Sequence, residues 1–273
     1  MIESYVDTYM GLLQTACVEP NFWCSSEYIK KAGLKIVVVM PLNIPIYVSD
    51  EDWAVFPTSF YDEGNTPFEL PLGCKGIWSD WVGFNPKGLK PEFLDYEYIY
   101  DPKAFLNLSG NKWMTFRKNC RKFPNRYKGR IEYTSLFYVD EEIDDVINKE
   151  LECLLINWLE DRNDEIQDDD VILKYLYEGE NRKVLWDADS GKVLGINIWD
   201  SNYQYINYRY CFTRKMDYLS EYMRYLFYTD PIILNEGKLV NDGGVLGNEN
   251  LKKFKDKLNP IRVRRVNSWK RRS

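Results

Sequence analysis

From residue 130 onward the apolar positions recur with a clear period. Residues 131–136 alternate as a strand, and across 141–160 Ile143, Val146, Ile147, Leu151, Leu154 and Trp158 fall on one stripe of a long helix. A shorter helix is predicted over 171–177. Strands follow at 183–188, 192–199 and 203–213, parted by the turns DADSGK and DSN. Residues 218–228 read as a helix that Pro231 closes. The last unit is a strand at 238–241, a turn containing Gly243, Gly244 and Gly247, a helix and a β-branched strand running to Trp269. The glycines permit positive φ, Asn248 has the chemistry of an N-cap, Leu251, Phe254 and Leu258 mark the apolar side of the helix, and Pro260 stops it.

The first part of the chain is less regular. A helix reaches to about residue 16, with Tyr5, Met10, Leu12 and Leu13 on its apolar side. Residues 34–49 contain two β-branched runs interrupted by Pro41 and Pro45, which reads as two adjacent strands. Residues 50–102 are loop-rich and aromatic, with Trp53, Phe56, Phe60, Tyr61, Trp78, Trp81, Tyr96, Tyr98 and Tyr100, and strands are predicted at 76–82 and 96–100. Such a density of rings serves a core, a ligand cleft or base stacking. Ser109 and Gly110 then introduce a helix through about Lys122. Arg117 and Arg121 share one of its faces beside the apolar stripe of Trp113, Phe116 and Cys120, an arrangement that suits a phosphate or carboxylate clamp as well as a bridge between two halves.

Composition narrows the chemistry. The chain of 273 residues contains no histidine, so the usual imidazole base and the usual metal ligand are both missing. Its six cysteines are scattered without a CxxC pair, which predicts reduced thiols and no metal site. Proton transfer must then use Asp, Glu, Tyr, Cys, Lys, backbone or water, and that suits reactions in which positioning does most of the work. No run of about 18 apolar residues and no signal-peptide pattern is present, so a cytoplasmic protein without an integral membrane segment is expected. The net charge of −6 conceals a segregation. Residues 112–130 carry eight basic and no acidic residues, and 252–273 carry ten basic and one acidic, against a strongly acidic remainder. Such basic segments attract the phosphates of a nucleic acid, a cofactor or a lipid headgroup, or else answer the acidic run 140–170 within the molecule.

The succession of elements resembles the GNAT acyltransferase fold, a mixed sheet that splays between its fourth and fifth strands; here the splay would fall between the strand ending near Thr213 and the strand at 238–241. LSGNKWMTFRKNCRKF (108–123) and VNDGGVLGNENLKKFKDKLNP (240–260) look like the two signature stretches of the lysylphosphatidylglycerol synthetase C-terminal-like family. The matching positions are Ser109, Gly110, Arg117, Arg121 and Phe123, then Asn241, Gly243, Gly247, Leu251, Lys255 and Pro260. The resemblance implies an α/β (α+β) protein of two GNAT-like halves, each a mixed sheet flanked by helices: a degenerate N-terminal half (1–107), a linking basic helix (108–129) and a C-terminal half (130–273).

It also implies transfer of an activated acyl or aminoacyl group to an amine or hydroxyl on a small or macromolecular acceptor, with aminoacyl-tRNA or acyl-CoA as the phosphate-bearing donor. The attached transmembrane region of the best-known family members has no counterpart here, which argues against a lipid acceptor. The stretch CFTRKMD (211–217) lacks the glycines that cradle coenzyme A pyrophosphate, which argues against acetyl-CoA. Under this reading Arg214, Lys215 and Lys255 anchor the donor, Arg117 and Arg121 stand at the cleft rim, and Asn241 and Gly243 form the cleft wall. Asp242 orients or deprotonates the acceptor, and Tyr208 or Tyr210 acts as acid. Asp242 equally suits an Asx turn, Lys255 a solvated helix face and the tyrosines a core. A non-catalytic nucleic-acid-binding protein of the same fold is the competing reading.

Overall fold

The computed structural model describes residues 2–15, 19–39, 44–48, 53–55, 76–79, 89–136, 141–160 and 169–271. The periodic second part folds as its pattern predicts: β6 (Ile131–Ser135), α4 (Glu141–Glu160), α5 (Asp169–Glu178), β7 (Asn181–Asp187), β8 (Lys192–Ser201), β9 (Tyr205–Thr213), α6 (Leu219–Tyr228), β10 (Leu239–Asn241), α8 (Glu249–Lys257) and β11 (Arg262–Arg271). Pro231 does more than close α6. With Asp230 capping the Ile232 N–H at 2.9 Å, it opens a further short helix, α7 (Pro231–Asn235), because proline at the first helical position has no N–H to leave unpaired.

Before residue 130 lie α1 (Ile2–Thr15), α2 (Ser26–Lys31), β1 (Lys35–Val39), β2 (Ile44–Val48), β3 (Trp53–Val55), β4 (Gly76–Ser79), β5 (Leu89–Tyr100) and α3 (Met114–Arg126). β5 begins seven residues earlier than its sequence suggests, because β11 pairs with it along its whole length from Ile99 to Leu89. The helix expected from Ser109 begins with a 3-10 turn at Asn111–Trp113 and runs to Arg126 with Pro124 inside it. Among the expected cleft aromatics, Phe56, Phe60, Tyr61 and Trp81 lie outside the described residues. Tyr98 and Tyr100 are core.

The strands form one mixed sheet of eleven in the order β1-β2-β3-β4-β11-β5-β10-β9-β8-β7-β6. Neighbours are antiparallel except β3–β4 and β10–β9. Each end of the chain is built into the opposite half. β11 inserts between β4 and β5, while Val6, Tyr9 and Leu13 of α1 share a core with Ile147, Leu151 and Tyr175 of α4 and α5. The spacing of those α1 residues supplies a single apolar stripe, and burying it is what draws the N-terminus across. On the other face, α3, α6 and α8 cover a second core of Trp113, Phe116, Phe227, Tyr228 and Leu258. No helix among the described residues is long and apolar enough to cross a membrane.

Candidate active site at a forked sheet

β9 and β10 stay together for three residues only. Leu239, Val240 and Asn241 pair with Tyr205, Ile206 and Asn207, after which β9 continues against β8 to Thr213 and the chain beyond Asn241 turns away. The fork thus opens where the sequence places it. The turning segment is fastened from below by Asp95 of β5, whose carboxylate accepts the N–H groups of Val245 at 2.7 Å and Leu246 at 2.6 Å. Gly244 sits so close that a Cβ there would lie 2.0 Å from Asp95 Oδ2, so only glycine fits.

Inside the fork are three charges. Arg224 of α6 donates from Nη1 to Asp242 Oδ2, the Tyr228 hydroxyl reaches the same oxygen at 3.3 Å, and Lys255 Nζ lies 3.4 Å from Asp242 Oδ1. Lys255 also donates to the carbonyls of Gly243 and Gly244 at 3.2 and 2.7 Å and to that of Asp242. All three charged residues are buried. Burial pushes the Lys255 ammonium below its usual pKa, with the Asp242 charge opposing that shift. For Arg224 burial works the same way, but Asp242 and the rings of Tyr208 and Tyr228 outweigh it and hold the guanidinium above its ordinary value. Two cations share one carboxylate at contact distance, with Asp95 beneath the turn as the next carboxylate, in a place shielded from water.

A β-bulge decides which tyrosines face this centre. Ile198 lies opposite Tyr210 and Trp199 opposite Tyr208, which leaves Arg209 as the extra residue. Tyr208 therefore points to the α6 face, where its ring stacks on Phe227 at 3.9 Å and lies 4.2 Å from the Arg224 guanidinium. Its hydroxyl donates to Asn197 Oδ1, and burial raises its pKa well above the usual value. Tyr210 points the other way, stacked beside Phe212 and edge-on to Tyr175.

Next to the charged centre, between α3, α6 and α8, is a cavity of about 280 Å³ lined in part by Asn119, Glu221, Asn250, Lys253, Phe254 and Lys257. Asn119 Nδ2 holds the Glu221 carboxylate at 2.9 Å, and the Phe254 ring stands between the cavity and Arg224, 5.9 Å from the guanidinium.

The opposite face of the sheet carries a row of polar residues. Asp200, Asn207 and Asn241 are directly opposite one another on β8, β9 and β10, and Glu97 faces Arg264 on β5 and β11. Asn241 Nδ2 bridges the two groups by donating to Glu97 Oε2 at 2.9 Å. All five are buried. The bulged Arg209 clasps Asp200 through Nε at 2.7 Å and Nη2 at 3.1 Å.

No protein-family model matches the sequence, and no curated protein matches it. Solved structures do match the fold. A conserved protein of unknown function from Bacteroides thetaiotaomicron VPI-5482 superposes with a TM-score of 0.69 at 14% identity, covering 100% of this chain and 98% of that one. L-PGS from Bacillus licheniformis gives 0.62 at 16% identity over 98% of this chain and 92% of its own. The C-terminal domain of a protein described as a lysylphosphatidylglycerol synthetase, from Agrobacterium fabrum, gives 0.61 at 12% identity over 98% and 93%. The chain has the fold of the lysylphosphatidylglycerol synthetase C-terminal domain.

Within this synthetase-type fold the residues singled out in the sequence are dispersed. Asn241 and Gly243 line the fork, Asn241 turned to the polar row and Gly243 packed beneath the Phe22 ring. Asp242 and Lys255 meet at the charged centre. The Lys255 ammonium, expected as a donor-phosphate anchor, lies buried against carbonyls; its position four residues after Leu251 and three before Leu258 puts it on the buried stripe of α8. Arg117 is tied to the Leu108 carbonyl, and Arg121 is exposed on α3. Arg214 lies at the far end of β9, bound to the Val193 carbonyl and to Glu150 at 2.6 Å each. Lys215 is exposed beside it. Sequence reading missed Arg224, which had a visible signal as a charge aligned with the buried Tyr228 on α6, and Glu97, Asp200, Asn207 and Arg209, which are polar interruptions in apolar strands.

Proposed function

We propose that this chain is an acyl- or aminoacyltransferase whose phosphate-bearing donor enters the fork from the α3–α6–α8 face. The observation that carries the reading is the parting of β9 and β10 over a buried centre in which two cations share one carboxylate. Attack of an amine or hydroxyl on an ester or thioester places negative charge on the carbonyl oxygen, and preorganised cations in a water-poor site stabilise that charge more than they stabilise the ground state. The leaving oxygen or sulfur departs with the electron pair. Asp242, with both oxygens engaged, holds Arg224 and Lys255 in position, and Glu221 at the cavity is the carboxylate available to receive the acceptor's proton. Tyr208 stays protonated beneath Arg224.

The cavity lysines Lys253 and Lys257 and the exposed Lys112, Lys118 and Arg121 of the α3 region supply attraction for the donor's phosphates. Acyl-CoA and aminoacyl-tRNA both present such phosphates. The test is to incubate the protein with each donor and a panel of amines and to follow acylation by mass spectrometry at increasing salt. Consumption of aminoacyl-tRNA with a steep salt dependence, or of a CoA ester with a shallow one, identifies the donor. If neither donor is consumed faster than in protein-free buffer while uncharged RNA binds, the non-catalytic reading replaces this one.

A further inference from the structure

Residues 19–25 cross the polar row on the opposite face as a strap held mainly by polar contacts, while the Tyr28 ring, 4.6 Å from the Arg209 guanidinium, and the Tyr175 hydroxyl, which donates to Asp200, close its far end. The Phe22 N–H donates to Glu97 Oε1 at 3.0 Å, the Pro20 carbonyl accepts from Arg264 at 3.2 Å, and Ser25 Oγ donates to Asp200 Oδ2 at 2.8 Å while accepting from Arg209 Nη2 at 3.0 Å. The Arg209 guanidinium carbon lies over the Phe22 ring, 4.3 Å from its centre. Beneath this strap the four charges of the row balance, with Asp200 against Arg209 and Glu97 against Arg264.

Two polar atoms of β9 are nevertheless left over among the described residues. Asn207 Oδ1 and Arg209 Nη1 have no hydrogen-bond partner there, although Asn207 is fully buried and Arg209 only 7% exposed. They lie two residues apart on one strand and face the same side. One accepts and the other donates, so what satisfies both must offer a donor hydrogen and an acceptor together. Leaving a buried guanidinium N–H or amide oxygen unpaired costs roughly 1–3 kcal/mol each, so an unfilled pair is a poor design for a purely structural core.

We propose that, with the strap lifted, this row binds a small molecule carrying an ammonium group and a carboxylate, in the manner of a free amino acid, with the ammonium on Asn207 Oδ1 and the carboxylate on Arg209 Nη1. Glu97 and Asp200 flank the ammonium position with negative charge. Asn207 pairs with Asn241 at the last rung before the fork, so a bound amine stands at the fork's mouth, opposite the Asp242–Arg224 centre. Resting on the transferase reading above, this makes the row the acceptor subsite; the binding itself does not depend on that reading. Entry requires the strap to lift.

The experiment is calorimetric titration of the full chain, without donor, using amino acids, the matching amines that lack the carboxylate, and the matching acids that lack the amine. Compounds with both groups should bind saturably and those with one group at least about tenfold more weakly. Asn207→Ala should weaken the best compound about tenfold, and Phe22→Ala, which removes the ring over Arg209 but keeps every hydrogen bond of the row, should tighten it severalfold. The proposal fails if no amino acid binds the natural protein or Phe22→Ala up to about 10 mM, or if binding ignores Asn207→Ala; the two atoms are then filled by internal water. Should Asn207→Ala not fold, the Phe22→Ala comparison still decides. Because no donor is present, a protein that binds amino acids yet transfers nothing would count against the transferase reading alone.

Discussion

The two faces of the forked sheet solve the problem of burying charge in opposite ways. On the strap face the row's two carboxylates, Asp200 and Glu97, each meet a guanidinium, and strand register lines them up. On the helix face two cations compete for Asp242, and the shortfall is met by backbone carbonyls at Lys255. A balanced row is suited to holding a neutral or zwitterionic group, whereas an unbalanced centre is suited to an anion or to charge that develops during reaction. Fold alone does not distinguish these uses; the placement of individual charges does.

The sharpest way to break this contrast is Asp242→Ala. It would leave Arg224 and Lys255 buried without their counter-ion, and we expect a loss of about 3–5 kcal/mol in chemical denaturation. A loss under about 1 kcal/mol would mean that the helix face is not a charge centre at all. Next comes Gly244→Ala, which forces a methyl group onto Asp95 beneath the turn; a loss of about 1–3 kcal/mol is expected, with weakened donor binding because the turn forms one wall of the fork.

The strap face carries a pH dependence of its own through Glu27. Burial first, and the Asp200 charge second, raise the Glu27 carboxyl on α2 to a pKa of about 7, against the partial opposition of the Glu180 N–H and Lys31. The folded protein therefore holds this proton more tightly than the unfolded chain does. Its contribution is fully present below about pH 4.5, declines as pH rises and is lost above about 7, a change of roughly 1–2 kcal/mol after solvent screening. Glu27→Gln should flatten that slope in thermal melts across the range, and an unchanged slope would detach Glu27 from the strap face. The smallest stability effect is expected for Lys253→Ala, within about 0.5 kcal/mol. Its donor affinity should nevertheless fall at low salt and converge with the natural protein at high salt.

Much of the second half was legible because its apolar periods are long and uninterrupted: α4 has the predicted bounds, Asn248 caps α8 through the N–H groups of Asn250 and Leu251, and the fork lies between the two strands named in advance. Less of the candidate site was legible. Glycines and basic clusters drew attention to 240–260 and to α3, but residues such as Glu97 and Asp200 gain meaning only from partners 167 and nine positions away in the chain. The β-bulge at Arg209 has no glycine or proline to announce it, and it separates two tyrosines that simple alternation would place on one face.

The sequence by itself determined the elements, their order, the glycine turn and the absence of imidazole chemistry, since these depend on local spacing and residue type. Only the tertiary structure decided that both chain ends cross into the opposite half, that Lys255 turns inward, and that five polar residues from five strands meet in one row. Those outcomes depend on strand register and on which apolar stripe finds a partner. Such pairings are set by the free energy of the whole assembly and leave little trace in any single stretch of chain.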